Sequence, residues 1–182
     1  MRVLIFHGYL LRGTGSNVYN ASVAAALAGL GHDVHLLCQD GEAGTLDWID
    51  AVGTWNGDGF DVAAAAGSSP GEGSVTAYRP EIGGLLPVYV ADRYEGFEVK
   101  TFSELSEAEL ENYIASNVTA VRAVADSLGG PEALDAALSN HLVMGPVILA
   151  RAGLSFAAKV HGSALSYTVK PEPGRFLSLI HI

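Results

Sequence analysis

The chain has 182 residues, 49% of them hydrophobic, and a formal net charge of −10. That length and apolar content suit one packed core and exclude overall disorder, while the acidic balance argues against bulk attraction to nucleic acid or an anionic membrane. Cys38 is the only cysteine, which excludes an internal disulfide and a cysteine-based zinc site. The first apolar run, Val3 to Phe6, has four residues, short of the roughly seven of a signal-peptide core. No apolar stretch approaches the roughly twenty residues of a membrane span. The expectation is a cytoplasmic protein with no membrane span and no nucleic-acid partner.

In chain order, "RVLIFHG" reads as a buried strand, because it is short, continuous and apolar. "NVYNASVAAALAGLG" reads as a helix with Asn17 or Ser16 as N-cap and Gly31 at the C-terminal cap. "HDVHLLCQD" then gives a second strand, Val34 to Cys38. Strand, helix and strand at this spacing form a βαβ unit with parallel strands. From Gly41 to Gly84 the signal weakens, and "GTWNGDGF" and "GSSPGEGS" have loop compositions. "SVTAYRP" and "LLPVYVADRY" read as strands or extended edges of an insertion, with Pro80 and Pro87 restricting them to edge positions. No internal repeat is present.

"LSEAELENYIASNVTAVRAVADSLGG" is the clearest helix. Ser106 and Glu109 make a capping box, and Leu110, Tyr113, Ile114, Val118, Val121, Ala125 and Leu128 share one face. Gly129, Gly130 and Pro131 stop it. "DAALSNH" reads as a strand, "MGPVILARAG" as a short helix and "SFAAKVHGS" as a further strand. The alternation predicts an α/β fold: a Rossmann-like open parallel sheet with helices on both faces and a β-rich insertion.

His7, His141 and His161 each follow one of these strands. In a parallel sheet those ends lie on one edge, where open α/β proteins bind ligands. Taken singly, each is equally well a loop histidine bonded to a backbone carbonyl. Three together, each beside Gly or Asn, point to a site. A three-histidine metal site fits in principle, but no Asp or Glu directly flanks any of them to fix a tautomer, and no metal is expected.

The loop "GTGSN", Gly13 to Asn17, runs into a helix N-terminus, a combination that binds phosphate. Two familiar motifs nearly fit. Gly8 and Gly13 have P-loop spacing, but Thr14 and Gly15 stand where Lys and Ser/Thr are required. Gly13 and Gly15 open a dinucleotide fingerprint, but Val18 holds the place of the third glycine. A ligand-free turn is the alternative.

"GTGSN" at the first helix, "GHDVHLL" as second strand, "NHLVMGP" and "KVHGSALSYT" together resemble the N-terminal half of retaining glycosyltransferases of family 4, which have the GT-B fold. "GLLPVYVADRYEGF" resembles an insertion seen in some of them. The resemblance covers Met1 to about Phe176. It implies the acceptor-side domain of an enzyme that moves a sugar from a nucleotide-sugar to an acceptor with retention of configuration, with no cofactor beyond that donor. Gly13, Thr14, Gly15, Ser16 and Asn17 would meet the donor diphosphate. His161 would be catalytic, beside the transferred sugar. His7, Asn140, His141, Gly162 and Ser163 would line the acceptor cleft. The family's complete enzymes are about twice as long, with a C-terminal nucleotide-sugar domain in cis. Residues 1–176 are therefore expected to be one incomplete domain, inactive alone, and 177–182 an apolar truncation end. Two other readings stand beside this one. A Rossmann-like oxidoreductase or epimerase lacks here the third glycine and a Tyr-x-x-x-Lys pair. A non-catalytic sugar-binding module requires neither.

Overall fold

The computed structural model describes residues 1–66 and 71–177. Strand β1 (Arg2–Phe6) splits its side chains between two cores. Val3 and Ile5 pack with the helix that follows, and Leu4 and Phe6 point to the opposite face. This alternation is what a strand covered on both sides requires.

Helix α1 (Gly15–Gly29) begins earlier than expected: its N-cap is Thr14, whose Oγ1 accepts the Asn17 N–H at 3.4 Å. Asn17 itself lies in the first turn and sends its side chain back to the Arg12 carbonyl at 2.7 Å. The C-terminus closes as expected on Gly31, at φ +83°. Gly31 N–H bonds Ala28 O at 2.9 Å and His32 N–H bonds Leu27 O at 3.1 Å, a pairing that needs the left-handed backbone glycine adopts freely. Strand β2 (Asp33–Leu37) then pairs in parallel with β1.

The region between 41 and 84 departs from expectation. "GTWNGDGF" is a hairpin, β3 (Ala51–Trp55) and β4 (Phe60–Ala64), paired antiparallel. Asn56 Oδ1 accepts the N–H groups of Asp58 and Gly59 at 3.1 and 2.9 Å and so builds the turn. Trp55 and Phe60 face each other at its base, ring centroids 5.1 Å apart. Strand β5 (Ser74–Arg79) is not an edge: it lies between β2 and β3, parallel to both. Pro80 follows its last residue and removes no bond from the ladder. Only β6 (Leu85–Val88) and β7 (Glu98–Thr101) stand apart, as a two-stranded parallel sheet in which Pro87 does occupy an edge.

Helix α2 (Glu107–Ser127) has the expected capping box: Ser106 Oγ accepts the Glu109 N–H at 3.2 Å, and Glu109 Oε2 accepts the Ser106 N–H at 2.8 Å. Its buried face carries Leu110, Tyr113, Ile114, Val118, Val121 and Ala125. Strand β8 (Ala136–Ser139) and helix α3 (Gly145–Arg151) follow. Strand β9 is Ala157–Ala158, shorter than the 155–163 expected. A π-helical turn (Ala164–Val169) and a short helix α4 (Pro173–Phe176) end the described chain.

The main sheet has the order β4-β3-β5-β2-β1-β8-β9. Every pairing is parallel except β3 with β4. Helix α1 covers one face, and α2 and α3 cover the other. The architecture is thus α/β and Rossmann-like, with β3, β4 and β5 part of the sheet rather than of a separate insertion. Among the described residues no helix is long and apolar enough to cross a membrane. The expected apolar tail from 177 lies, save Leu177, outside the described residues, as do 67–70 of "GSSPGEGS".

Candidate functional site

Strands β1, β8 and β9 are neighbours and parallel, so the residues leaving their carboxyl ends emerge on one edge. That brings together His7, Asn140, His141 and His161. The His141 and His161 ring centroids are 4.8 Å apart, and those of His7 and His141 6.2 Å.

Asn140 organises the cluster. Its backbone N–H extends the ladder to Phe6 O at 3.0 Å, which fixes the side chain at the strand end. Nδ2 donates to His7 Nδ1 at 3.0 Å and to Ser16 Oγ at 2.9 Å. Oδ1 accepts from His161 Nε2 at 2.9 Å. Two tautomers follow from this network. His7 donates from Nε2 to Leu10 O at 2.8 Å, so its Nδ1 is the bare acceptor Asn140 requires. His161 carries its hydrogen on Nε2, which makes Nδ1 the acceptor nitrogen of the ring. Ser16 Oγ also lies 3.1 Å from His141 Nε2, and His141 Nδ1 is buried with no hydrogen-bond partner among the described residues.

The segment after β8 is tightly constrained. Ser139 Oγ donates to His141 O at 2.6 Å. Met144 sits at φ 72°, ψ −56° in a three-residue turn, with Gly145 N–H on Val143 O at 3.0 Å, a strained conformation. Gly145 has to be glycine here, because a Cβ would lie 1.9 Å from Ser139 Oγ.

The glycine-rich loop meets this cluster through Ser16. Gly13, at φ +91°, turns the chain into α1. The N–H groups of Gly15 and Ser16 have no partner among the described residues. A Cβ on Gly15 would meet nothing within 4 Å. An open N-terminus on a helix of 15 residues favours an anion through its free donors and dipole. The loop's other end is stapled by Asp40, which accepts Leu11 N–H at 3.1 Å, Arg12 Nε at 3.3 Å and Glu42 N–H at 2.9 Å.

A cavity of about 400 Å³ lies over these groups, lined on one side by Thr14, Ser16, Asn17, His141 and His161. The opposite wall is the segment from Val88 to Tyr94, and Gly162 and Ser163 complete the rim. Two phenols tie that wall down: Tyr9 donates to Pro87 O at 2.8 Å and Tyr89 to Val143 O at 2.9 Å. The Tyr89 ring stacks on His141 at 4.8 Å. Lys159 Nζ lies over the Tyr19 ring, 2.9 Å from its centroid, and the Tyr19 ring meets His161 edge-on.

Electrostatically the cluster is held neutral. Burial pulls His7 down to about 4. Burial also lowers His141 well below the ordinary histidine value, reinforced by His7 and His161. His161 is lowered by partial burial and by the Lys159 charge. Like charges this close would repel, so the uncharged form is the one the packing accepts.

The expected residues therefore fall in three groups. Thr14, Ser16, Asn17, His141, His161, Gly162 and Ser163 line the cavity. Gly13 and Gly15 shape the helix start beside it. His7 and Asn140, 1% and 2% exposed, stand behind the wall rather than in the cleft, His7 bonded to a loop carbonyl and Asn140 holding its neighbours. Among the described residues no group of three or more His, Cys, Asp or Glu side chains is arranged to hold a metal ion. Tyr9, Tyr89 and Lys159 join the site although the sequence motifs do not single them out. The sequence signals for them are the aromatic clustering of 89–94 and a lysine two residues before His161, both lying in segments with strand composition. No family model matches the chain, and neither a curated protein nor a solved structure matches it.

Proposed function

We propose that this chain is the acceptor-side domain of a retaining glycosyltransferase of the GT-B type, moving a sugar from a nucleotide-sugar donor to an acceptor. One observation supports the reading above all: an open helix N-terminus and a histidine of fixed tautomer meet on one cavity at the carboxyl edge of a parallel sheet. The departing diphosphate gains negative charge as the glycosidic bond breaks. The Gly15 and Ser16 N–H groups and the α1 dipole lie where that charge develops and stabilise it without reorganising. Lys159 adds a positive charge nearby. Neutral His161 offers its Nδ1 lone pair to a hydroxyl of the transferred sugar and so orients the ring. A second domain in cis would hold the nucleotide.

The test is titration of residues 1–182 with a panel of nucleotide sugars, followed by amide and histidine NMR, with transfer measured in parallel. The expected result is movement of the Gly15 and Ser16 amides and the His161 ring, without transfer by this chain alone. In a protein carrying both halves, His161→Ala lowers turnover strongly and His7→Ala less. Nucleotide sugars that leave those amides unmoved, or a nicotinamide dinucleotide that moves them instead, overturn the reading. Transfer by residues 1–182 above a His161→Ala control overturns the division of roles between domains.

A further inference from the structure

We infer that the chain carries a second small-molecule site, for a neutral polyhydroxylated ring, in a cavity at the carboxyl ends of β2, β3 and β5. The cavity measures about 410 Å³, within the range of small-ligand sites. It lies on the sheet edge that open α/β folds use for binding, yet shares no lining residue with the histidine-lined cavity. The loop stapled to Asp40 runs between them.

Glycines on its wall let neighbouring side chains pack against the backbone. A Cβ on Gly53 would come within 2.5 Å of the Tyr78 ring, and one on Gly44 within 3.3 Å of Val52. Larger residues there would displace Tyr78 and Val52, which line the cavity.

Charge decides the ligand class. The Arg79 guanidinium sits between Gly41, where a Cβ would be 3.5 Å from Nη1, and the Phe97 ring, 5.9 Å from its centroid. Among the described residues it makes no hydrogen bond and no ion pair, so its five N–H donors are unspent. Of the three carboxylates lining the cavity, Asp40 is consumed by the loop and by Arg12. Glu81 uses one oxygen on the Gly83 N–H at 2.8 Å and keeps the other. Glu42 keeps both for a ligand. An anion drawn to Arg79 meets Glu42 and Glu81, and a cation drawn to the carboxylates meets Arg79. A neutral ligand with hydroxyls satisfies both, since each hydroxyl donates and accepts. Half-buried Trp55 supplies an aromatic wall for the C–H face of a ring. A pyranose or a cyclitol has this combination of polar rim and apolar face.

The experiment titrates residues 1–182 with methyl glucoside, methyl galactoside, methyl mannoside and myo-inositol, and separately with inorganic phosphate, following the Trp55 indole, the Arg79 side chain and the Gly41 amide by NMR. At least one neutral ring compound is expected to give saturable shifts at these three groups. Gly41→Phe, which adds a ring to the cavity wall beside Arg79 at a residue with no positive φ, should weaken binding at least tenfold. Arg79→Lys should weaken it several-fold, and its amide dispersion reports directly that the fold is kept. His161→Ala should leave it unchanged. Shifts from phosphate alone, no shift from any ring compound, or loss of binding in His161→Ala overturns the proposal. Because the readout is binding at residues remote from His161, it stands or falls separately from sugar transfer.

Discussion

Replacing Asn140 with alanine removes three hydrogen bonds at once, and the losses are unequal. His7 Nδ1 belongs to a residue 1% exposed. Without the Asn140 donor it is a buried acceptor with no partner, which costs about 1–3 kcal/mol. The bonds to Ser16 and His161 are worth about 0.5–1.5 kcal/mol each, and less here because both partners reach solvent. The sum is about 3 kcal/mol, or a fall in Tm of about 6–12 °C for a chain of this size. Thermal melting reads that figure, but a cavity anywhere in the core would also lower Tm. The discriminating readout is the histidine ring nitrogen spectrum. In the native protein His161 should be the Nε2–H tautomer, because Asn140 Oδ1 accepts from that nitrogen at 2.9 Å. In Asn140→Ala the tautomers should mix. In Asn140→Asp the carboxylate should raise the His161 pKa above its native, lowered value. A native His161 protonated on Nδ1, or a ring spectrum unchanged in Asn140→Ala, refutes the reasoning.

Three further outcomes are expected. His7 is depressed to about 4, so the unfolded chain takes up a proton below pH 6.5 that the folded chain refuses; stability is intact above pH 6.5 and falls by about 3 kcal/mol by pH 4, read from urea midpoints across that window and flattened in His7→Gln. Gly15→Val adds a side chain into open space, so the melting temperature should hold while binding of a nucleoside diphosphate weakens at least tenfold, measured by calorimetry; equal binding removes the loop from the site. Ser106→Ala deletes the α2 N-cap and should cost about 1 kcal/mol, a Tm drop of about 2–4 °C, without changing ligand binding.

The parts of the fold legible in sequence were those whose signals are local. The β1–α1–β2 unit, the α2 capping box and the Gly31 terminus each depend on residues a few positions apart. The meeting of the three histidines followed from one topological rule, that parallel strand ends share an edge. The hairpin at 51–64 was hidden by composition: Gly53, Gly57 and Gly59 read as loop, although Asn56–Gly57 between Trp55 and Phe60 is itself a turn signal. The central place of strand β5 is hidden because Pro80 suggests an edge, although it stands just past the last ladder residue. The role of Asn140 was not legible at all. It depends on contacts 124 and 133 residues away in sequence, and periodicity carries no information at that range.

Helix α1 turns Ala24, fully buried, together with Ala21, Val23 and Leu27 toward the sheet, and it is held at both ends. At one end Ser16 is bonded to Asn140. At the other, the chain leaving the helix presses on Gly73, where a Cβ would stand 2.4 Å from His32 O and 2.6 Å from Ala28 O. Fifteen residues at 1.5 Å each make the helix about 22 Å long. A methyl group at residue 73 would therefore collide with the backbone at one end of that span, while the bond from Asn140 to Ser16 sits at the other.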